Sequence, residues 1–313
     1  MPFQWDAFTV NRALILPTCL CTERSQINTV LYYMPIVISW AGLSTRNALA
    51  IAVIPAGVNC LFSLLGMLII DKCGRRRLML GSLLGCVIGL AIIGGSFTFS
   101  AADPVRVLER PVPEDLPGVT ACNASETLQT CADCLAHKCG FCHPSRPFWS
   151  RQADGFCLTP DSEKGCLDEV SRSFEETETM DFDVDACRSN YGLSSLLGLA
   201  VFLATFAPGM AHVPWAVNAE IYPEEMRGVG AAAATTMNWV ANLIVTQNFL
   251  TLVNGIGAAN TFYLFGFFAI AGIVTYSIML PETGGLTLDE VQEVFKARVE
   301  RQGGEPLRYT RKR

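Results

Sequence analysis

The chain has 313 residues, 50% hydrophobic and only 17% charged, with a mean hydropathy of +0.33 and a net charge of −6. A soluble globular domain carries about a quarter charged residues, so an ordinary water-soluble core is excluded, and an acidic balance gives no footprint for nucleic acid. No paired carboxylates, nucleotide-binding glycine loop or nucleophile–base set is present, and His137, His143 and His212 are scattered, which argues against an enzyme, a cofactor or a metal site.

Residues 1–24 open the chain with Arg12 ahead of an apolar stretch, 13–20, that Pro17 interrupts. No small-residue cleavage site follows, so this is expected to be the start of a first span over about 13–43 and not a signal peptide. A bilayer-crossing helix takes roughly 20 apolar residues, at 1.5 Å rise each over about 30 Å. Asp, Glu, Lys and Arg are absent from 25–45, 47–70, 78–102, 189–219 and 228–281. The last stretch holds 54 residues, enough for two helices, and the polar turn Asn254-Gly255-Ile256-Gly257-Ala258-Ala259-Asn260 divides it. Further spans are therefore predicted over about 47–70, 78–99, 191–219, 228–253 and 261–280. In lipid every backbone N–H and C=O must be satisfied within the segment, so the six are helices. Beyond them, 286–301 reads as a short amphipathic helix, with Leu288, Val291, Val294, Phe295 and Arg298 at helical spacing, Thr287 as N-cap and Glu290 three residues on.

Charge assigns the loops. Residues 103–188 hold 17 acids against 8 bases, a net of −9, so that the remainder of this −6 chain is +3. The short basic segments are Lys72 with Arg75, Arg76 and Arg77, the turn at Arg227, and the tail with Arg308, Arg311, Lys312 and Arg313. Six spans put all three on one side, which the positive-inside rule makes cytoplasmic. The acidic loop and the C-terminus then lie on opposite sides of a membrane, with the loop outside the cell and the plasma membrane as the expected location. Eight of thirteen cysteines (Cys122, Cys131, Cys134, Cys139, Cys142, Cys157, Cys166 and Cys187) crowd into that loop. An even number in an exposed, oxidising setting reads as a disulfide framework. Cys131-x-x-Cys134 and Cys139-x-x-Cys142 also suit zinc by ligand type, but the pairs follow each other too closely for a ribbon. Asn123-Ala124-Ser125 is a glycosylation acceptor in the same loop.

Within the spans, Pro35, Pro55, Pro208 and Pro214 are expected to be tolerated where neighbouring helices re-satisfy the freed carbonyls. Gly81, Gly85 and Gly89, at four-residue spacing, permit close helix approach. Uncharged hydrogen-bonding residues recur: Asn28, Tyr32, Tyr33, Asn59, Asn218, Asn238, Trp239, Asn242 and Gln247. A polyhydroxylated solute needs such groups, because each hydroxyl that loses water without a partner costs about 1–3 kcal/mol. Interhelical hydrogen bonds, each worth about 0.6 kcal/mol, are the plainer use of the same residues.

Several motifs in order resemble the sugar-porter branch of the major facilitator superfamily. Ile27-Asn28-Thr29-Val30-Leu31-Tyr32-Tyr33 is similar to its seventh-helix signature, and Asp71-Lys72-Cys73-Gly74-Arg75-Arg76 to its D-x-x-G-R-R turn. Pro208-Gly209-Met210-Ala211-His212-Val213-Pro214-Trp215 resembles its proline-rich tenth helix, and Glu220-Ile221-Tyr222-Pro223-Glu224-Glu225-Met226-Arg227 its E-x6-R turn. Asn238-Trp239-x-x-Asn242 resembles helix eleven, and Pro281-Glu282-Thr283-Gly284-Gly285-Leu286-Thr287 its P-E-T-x-G sequence. A cysteine-rich insertion between helices nine and ten resembles the proton-coupled myo-inositol branch, and its cysteine pattern resembles the plexin–semaphorin–integrin module.

The resemblance implies an all-α membrane protein whose six transmembrane helices form the C-terminal half of a major facilitator fold, carrying a small disulfide-rich extracellular module. The implied divisions are a first three-helix unit over 1–102, the cysteine-rich module over 103–188, a second three-helix unit over 189–281 and a cytoplasmic tail over 282–313. The implied activity is alternating-access transport of a polyol or sugar, proton-coupled myo-inositol symport foremost. A hexose facilitator, or a membrane-anchored interaction module without transport, are the alternatives. Solute contacts carry over to Asn28, Asn59, Trp215, Asn238 and Asn242, with Tyr33 and Trp239 lining the pocket. An ion network at the cytoplasmic gate carries over to Asp71, Arg75, Arg76, Glu220 and Arg227. Three departures accompany these. The family's glutamine pair falls at about Thr22-Glu23, where this chain is two residues short. Ala211-His212 stands where glycine and proline are expected. The family's first six helices have no counterpart, so the chain is expected to be a truncated half, with the N-terminal half as its missing partner.

Overall fold

The computed structural model describes residues 28–40, 52–108, 121–122, 128–145, 153–167, 180–184, 187, 189–222, 227–287, 289–291 and 293–294. The Thr22-Glu23 position, the sequon at Asn123 and most of the expected first span lie outside them. The described part of that span is helical over 28–32, turns at Tyr33 and continues as α1 (Met34–Trp40). Among the described residues five helices, taking the broken fourth as one, are long and apolar enough to cross a membrane. They are α2 (Val53–Cys73), α3 (Arg75–Ala102), α5 (Gly192–Gly209) continued by α6 (Val213–Ile221), α7 (Arg227–Ile256) and α8 (Ala258–Met279). Left-handed glycines separate two consecutive pairs: Gly74, at φ +81°, between α2 and α3, and Gly257, at φ +87°, between α7 and α8. Only a residue without Cβ turns there at no steric cost.

The helices differ in how much they bury. Half of the apolar window is buried in α3 and in the broken helix (50% each), against 11% in α2 and 17% in α7. The first two are therefore interior, while α2 presents Leu61, Leu64, Met67 and Leu68 outward. Lipid tails are as apolar as leucine and supply no drive to bury such faces, so helix association rests on shape. Small residues supply it. A Cβ on Gly85 would overlap the Thr205 side chain, one on Gly89 would lie 2.7 Å from Phe202 N, and one on Gly66 would overlap the Pro208 backbone. Gly81 meets nothing within 4 Å, so only two glycines of the expected triplet carry a helix contact. Phe249 of α7 packs on Phe262 and Phe265 of α8, with centroids 6.3 and 6.1 Å away.

The chain divides into two compact units. One comprises 1–32, 55–91 and 199–313, and the other 33–54 and 92–198. The second holds the cysteine-rich module, built on an antiparallel sheet of order β2-β1-β3: β1 (Gly140–Pro144), β2 (Phe156–Leu158) and β3 (Met180–Asp183). A short helix, α4 (Cys131–Ala136), precedes β1 and starts with a reciprocal cap between Thr130 and Asp133. All eight loop cysteines are paired, as Cys122–Cys139, Cys131–Cys187, Cys134–Cys157 and Cys142–Cys166, with Cα atoms 5.8–6.2 Å apart. These sulfurs form two small cores with Phe141, and with Phe156, Leu158 and Met180. So few apolar side chains would not hold such a fold, and the cross-links make up the difference. At the base of the module Ser189 donates to Ser100 at 2.9 Å, Asn190 donates to Asp103 at 3.3 Å, and Cys131 N donates to Val105 O at 2.9 Å.

Candidate functional site

The first unit brings charges together where α3 begins. The Arg75 guanidinium donates from Nη2 to Glu220 Oε1 at 2.9 Å and from Nη1 to the Thr283 carbonyl at 2.9 Å. Both members of the ion pair are largely buried, at 18% and 16% exposed. Glu282 Oε1 accepts from Arg75 N at 2.8 Å and Gly284 N at 3.0 Å, so this carboxylate caps the first turn of α3 in trans. Burial pushes the Glu282 carboxyl up, but the backbone N–H groups of Gly284, Arg76, Arg75 and Arg77 outweigh it and hold it below its ordinary value.

Of the five residues expected in an ion network, the structure thus joins Arg75 and Glu220. Arg76 turns instead to the Ser277 carbonyl near the end of α8, with Nη2 at 2.6 Å. Arg227, which opens α7, keeps Nε and Nη2 buried with no partner among the described residues, and Glu220 Oε2 is in the same state. The side chain of Asp71 lies outside the described residues. Sequence reasoning left out Glu282, Thr283 and Ser277. A glutamate directly after an apolar span was the available signal, since such a carboxylate is stable only with donors nearby.

The fourth span is not the single helix expected over 191–219. It breaks at Met210–His212, between Pro208 at the end of α5 and Pro214 in the first turn of α6. Proline has no N–H to give its helix and crowds the preceding turn, and here two of them stand on either side of the break. Ser82 of α3 repairs the break: its hydroxyl donates to Thr205 O at 2.7 Å and accepts from Met210 N at 3.2 Å. His212 reaches the Ser63 carbonyl of α2 with Nε2 at 3.1 Å.

Of the seven candidate solute residues, Asn238, Trp239 and Asn242 lie on α7, and Asn28 is on the segment that touches it. Asn238 and Asn242 lie one turn apart on its buried face with Ala234 and Phe249, each asparagine 6% exposed. Thr246, a further turn on, donates to Asn242 Oδ1 at 3.3 Å and lies 3.2 Å from Thr29 Oγ1. That contact seats the segment bearing Asn28, which is partly buried, on α7 at Thr246, one turn beyond Asn242. Asn59 of α2 keeps a buried Oδ1 without a partner among the described residues. Trp215 is exposed in the first turns of α6. Trp239 stands on the outward face of α7 with Val240 and Leu243, apart from its neighbour Asn238. Tyr33, partly buried at the turn before α1, belongs to the second compact unit.

Cys122, Cys139 and Cys157 sulfurs lie within 4.8 Å of one another, a spacing that would suit a metal. All three are in disulfides. A disulfide sulfur is no thiolate, so the cluster does not fit zinc.

The family model described as "Sugar (and other) transporter" matches residues 5–107 and 181–295. The chain belongs to the sugar transporter family. Among curated relatives, inositol transporter 4 of Arabidopsis thaliana is 34% identical over 281 residues, covering 86% of this chain and 46% of the relative. The proton myo-inositol cotransporter of Homo sapiens is 32% identical over 285 residues, covering 88% and 43%. Of solved structures, the proton:xylose symporter XylE bound to 6-bromo-6-deoxy-D-glucose superposes with a TM-score of 0.57 at 21% identity, over 90% of this chain and 42% of that one, which shows the fold. The chain spans about half the length of the curated relatives it matches. It is a multi-pass membrane protein with the helices of a major facilitator half.

Proposed function

We propose that this sugar transporter chain supplies half of a proton-coupled myo-inositol symporter. The observation that carries the reading is the pair of buried amides Asn238 and Asn242 on one face of α7, in a helix set sized for lipid. Buried amides in hydrocarbon need partners, and a cyclic polyol provides them around its whole rim. The unanswered Oδ1 of Asn59 supports the same reading from α2. Relatives named for inositol transport, one of them for proton cotransport, support the choice of solute and ion.

The gate belongs to the same proposal. Arg75–Glu220 holds α3 to the end of α6, while Glu220 Oε2 and Arg227 Nε and Nη2 have no partner among the described residues. Those spare groups are what an alternative pairing needs, so the cluster is suited to latching two arrangements in turn. Orientation follows charge: the disulfide-rich module outside the cell, the basic turns and C-terminus in the cytoplasm, and the plasma membrane as the location.

The test is uptake of labelled myo-inositol and glucose at pH 5.5 and 7.5. The chain is co-expressed with the portion of Arabidopsis inositol transporter 4 that it does not match, in cells lacking their own uptake. Saturable inositol uptake that rises at the lower pH is the expected result, with a severalfold loss of affinity in Asn242→Ala. Hexose uptake indifferent to pH rejects both solute and coupling.

A further inference from the structure

His212 closes the break in the fourth span, at the position where the resemblance described above leads one to expect proline. A proline there offers no side-chain hydrogen bond, whereas an imidazole brings two nitrogens. Nε2 lies 3.1 Å from the Ser63 carbonyl oxygen. A carbonyl only accepts, so Nε2 carries the hydrogen, and in the neutral ring Nδ1 is left as an acceptor. Among the described residues Nδ1 has no partner, and it is not one of the atoms closed off from solvent. The contact to Ser63 also sets where the ring stands. Asn59 precedes Ser63 by one turn on the same side of α2, and its buried Oδ1 is likewise an acceptor with nothing to accept. Trp215 follows His212 by three residues on α6 and exposes 40% of its surface.

We propose that His212 reads a hydroxyl of the transported solute: Nδ1 accepts from one O–H of a cyclic polyol while Nε2 keeps the ring fixed on α2. Two unanswered acceptors on neighbouring elements call for a ligand rich in O–H donors, and an indole ring nearby suits the C–H face of such a ring. The assignment rests on the transport reading above and adds a specificity-determining residue to it.

The experiment separates reading a hydroxyl from merely tethering α2. The co-expressed pair is assayed for competition by myo-inositol and each of its monodeoxy analogues, in the unsubstituted chain and in His212→Ala and His212→Gln. Glutamine keeps an N–H for Ser63 O, and its own acceptor Oε1 branches from the same carbon as that nitrogen and not from the ring position of Nδ1. The expected result is that the unsubstituted chain rejects one analogue by about tenfold, the ratio that one hydrogen bond supplies. Both variants then lose that discrimination alone and retain the others. A uniform loss against every analogue, an unchanged pattern, or full restoration by glutamine overturns the proposal. If the unsubstituted pair takes up no cyclitol, it is the transport reading that fails.

Discussion

Glu282 Oε1 lies 2.8 Å from the backbone nitrogen of Arg75, 207 positions earlier in the chain. A helix cap ordinarily comes from the residue just before the helix. Here that residue is Gly74, which has no side chain, and a Cβ on it would lie 2.7 Å from Glu282 Oε2. The carboxylate occupies the space the glycine vacates. Glu282→Ala should therefore cost about 1 kcal/mol, in the range of a lost N-cap. A lower thermal midpoint in detergent, with faster exchange of the first-turn amides of α3, is the measurement. Gly74→Ala should do comparable damage by displacing the same carboxylate.

The Glu282 carboxyl is held below its ordinary value of 4.5. A group depressed in this way contributes stability that is present above the ordinary value and drains as pH falls through the lower folded one. The midpoint gap between the unsubstituted chain and Glu282→Gln should be full at pH 6 to 7 and should close below the normal carboxylate range. A gap of constant size down to pH 3 would show that the charge is not what the backbone N–H groups are holding.

The Arg75–Glu220 pair is largely buried, so removing either partner strands the other charge. Arg75→Gln and Glu220→Gln should each destabilise by about 2–3 kcal/mol, allowing for the exposure that remains. The double variant should cost less than the two singles together, by roughly 1–3 kcal/mol of coupling. Arg75→Lys should rescue little, because a single ammonium cannot fork to both Glu220 and the Thr283 carbonyl.

The glycines should sort by what faces them. Gly66→Ala pushes a methyl into the Pro208 backbone and Gly85→Ala into Thr205, whereas Gly81→Ala meets open space. The first two should lose about 1–3 kcal/mol by overpacking. Gly81→Ala should be neutral or slightly stabilising, as expected for alanine over glycine in a helix. Equal effects at all three would contradict the packing described.

Peptide mapping without reduction should recover the four disulfides as paired. Removing the Cys131–Cys187 bond, which closes 56 residues, should cost about 3–4 kcal/mol on loop entropy and render the module protease-sensitive.

The spans were legible because hydrocarbon demands long uncharged runs, and five such helices stand where those runs lie. The pairing of Thr287 with Glu290 was likewise readable: Thr287 N–H donates to Glu290 Oε2 at 2.8 Å. The break at Met210–His212 was not, since single prolines are compatible with a kinked helix and only Ser82, more than a hundred residues away, marks the gap that is repaired. Arg76 and Arg227 were grouped with Glu220 by motif, but motif order does not say which carboxylate each guanidinium faces. The outward placing of Trp239 beside a buried Asn238 is a matter of helix phase that adjacency in sequence conceals. Disulfide partners are undetermined by spacing alone, as eight cysteines allow 105 connectivities.

The contact between Ser100 and Ser189 means that the polypeptide leaves α3 and returns toward α5 at nearly one point. The family match respects the same seam, stopping at residue 107 and resuming at 181. An appendage attached at a single point is geometrically a plug-in. It can be lengthened, exchanged or deleted without forcing the two helices to reposition, and a direct hairpin of a few residues would close the same gap. The intramembrane scaffold and its ornament are thus free to diverge at different rates.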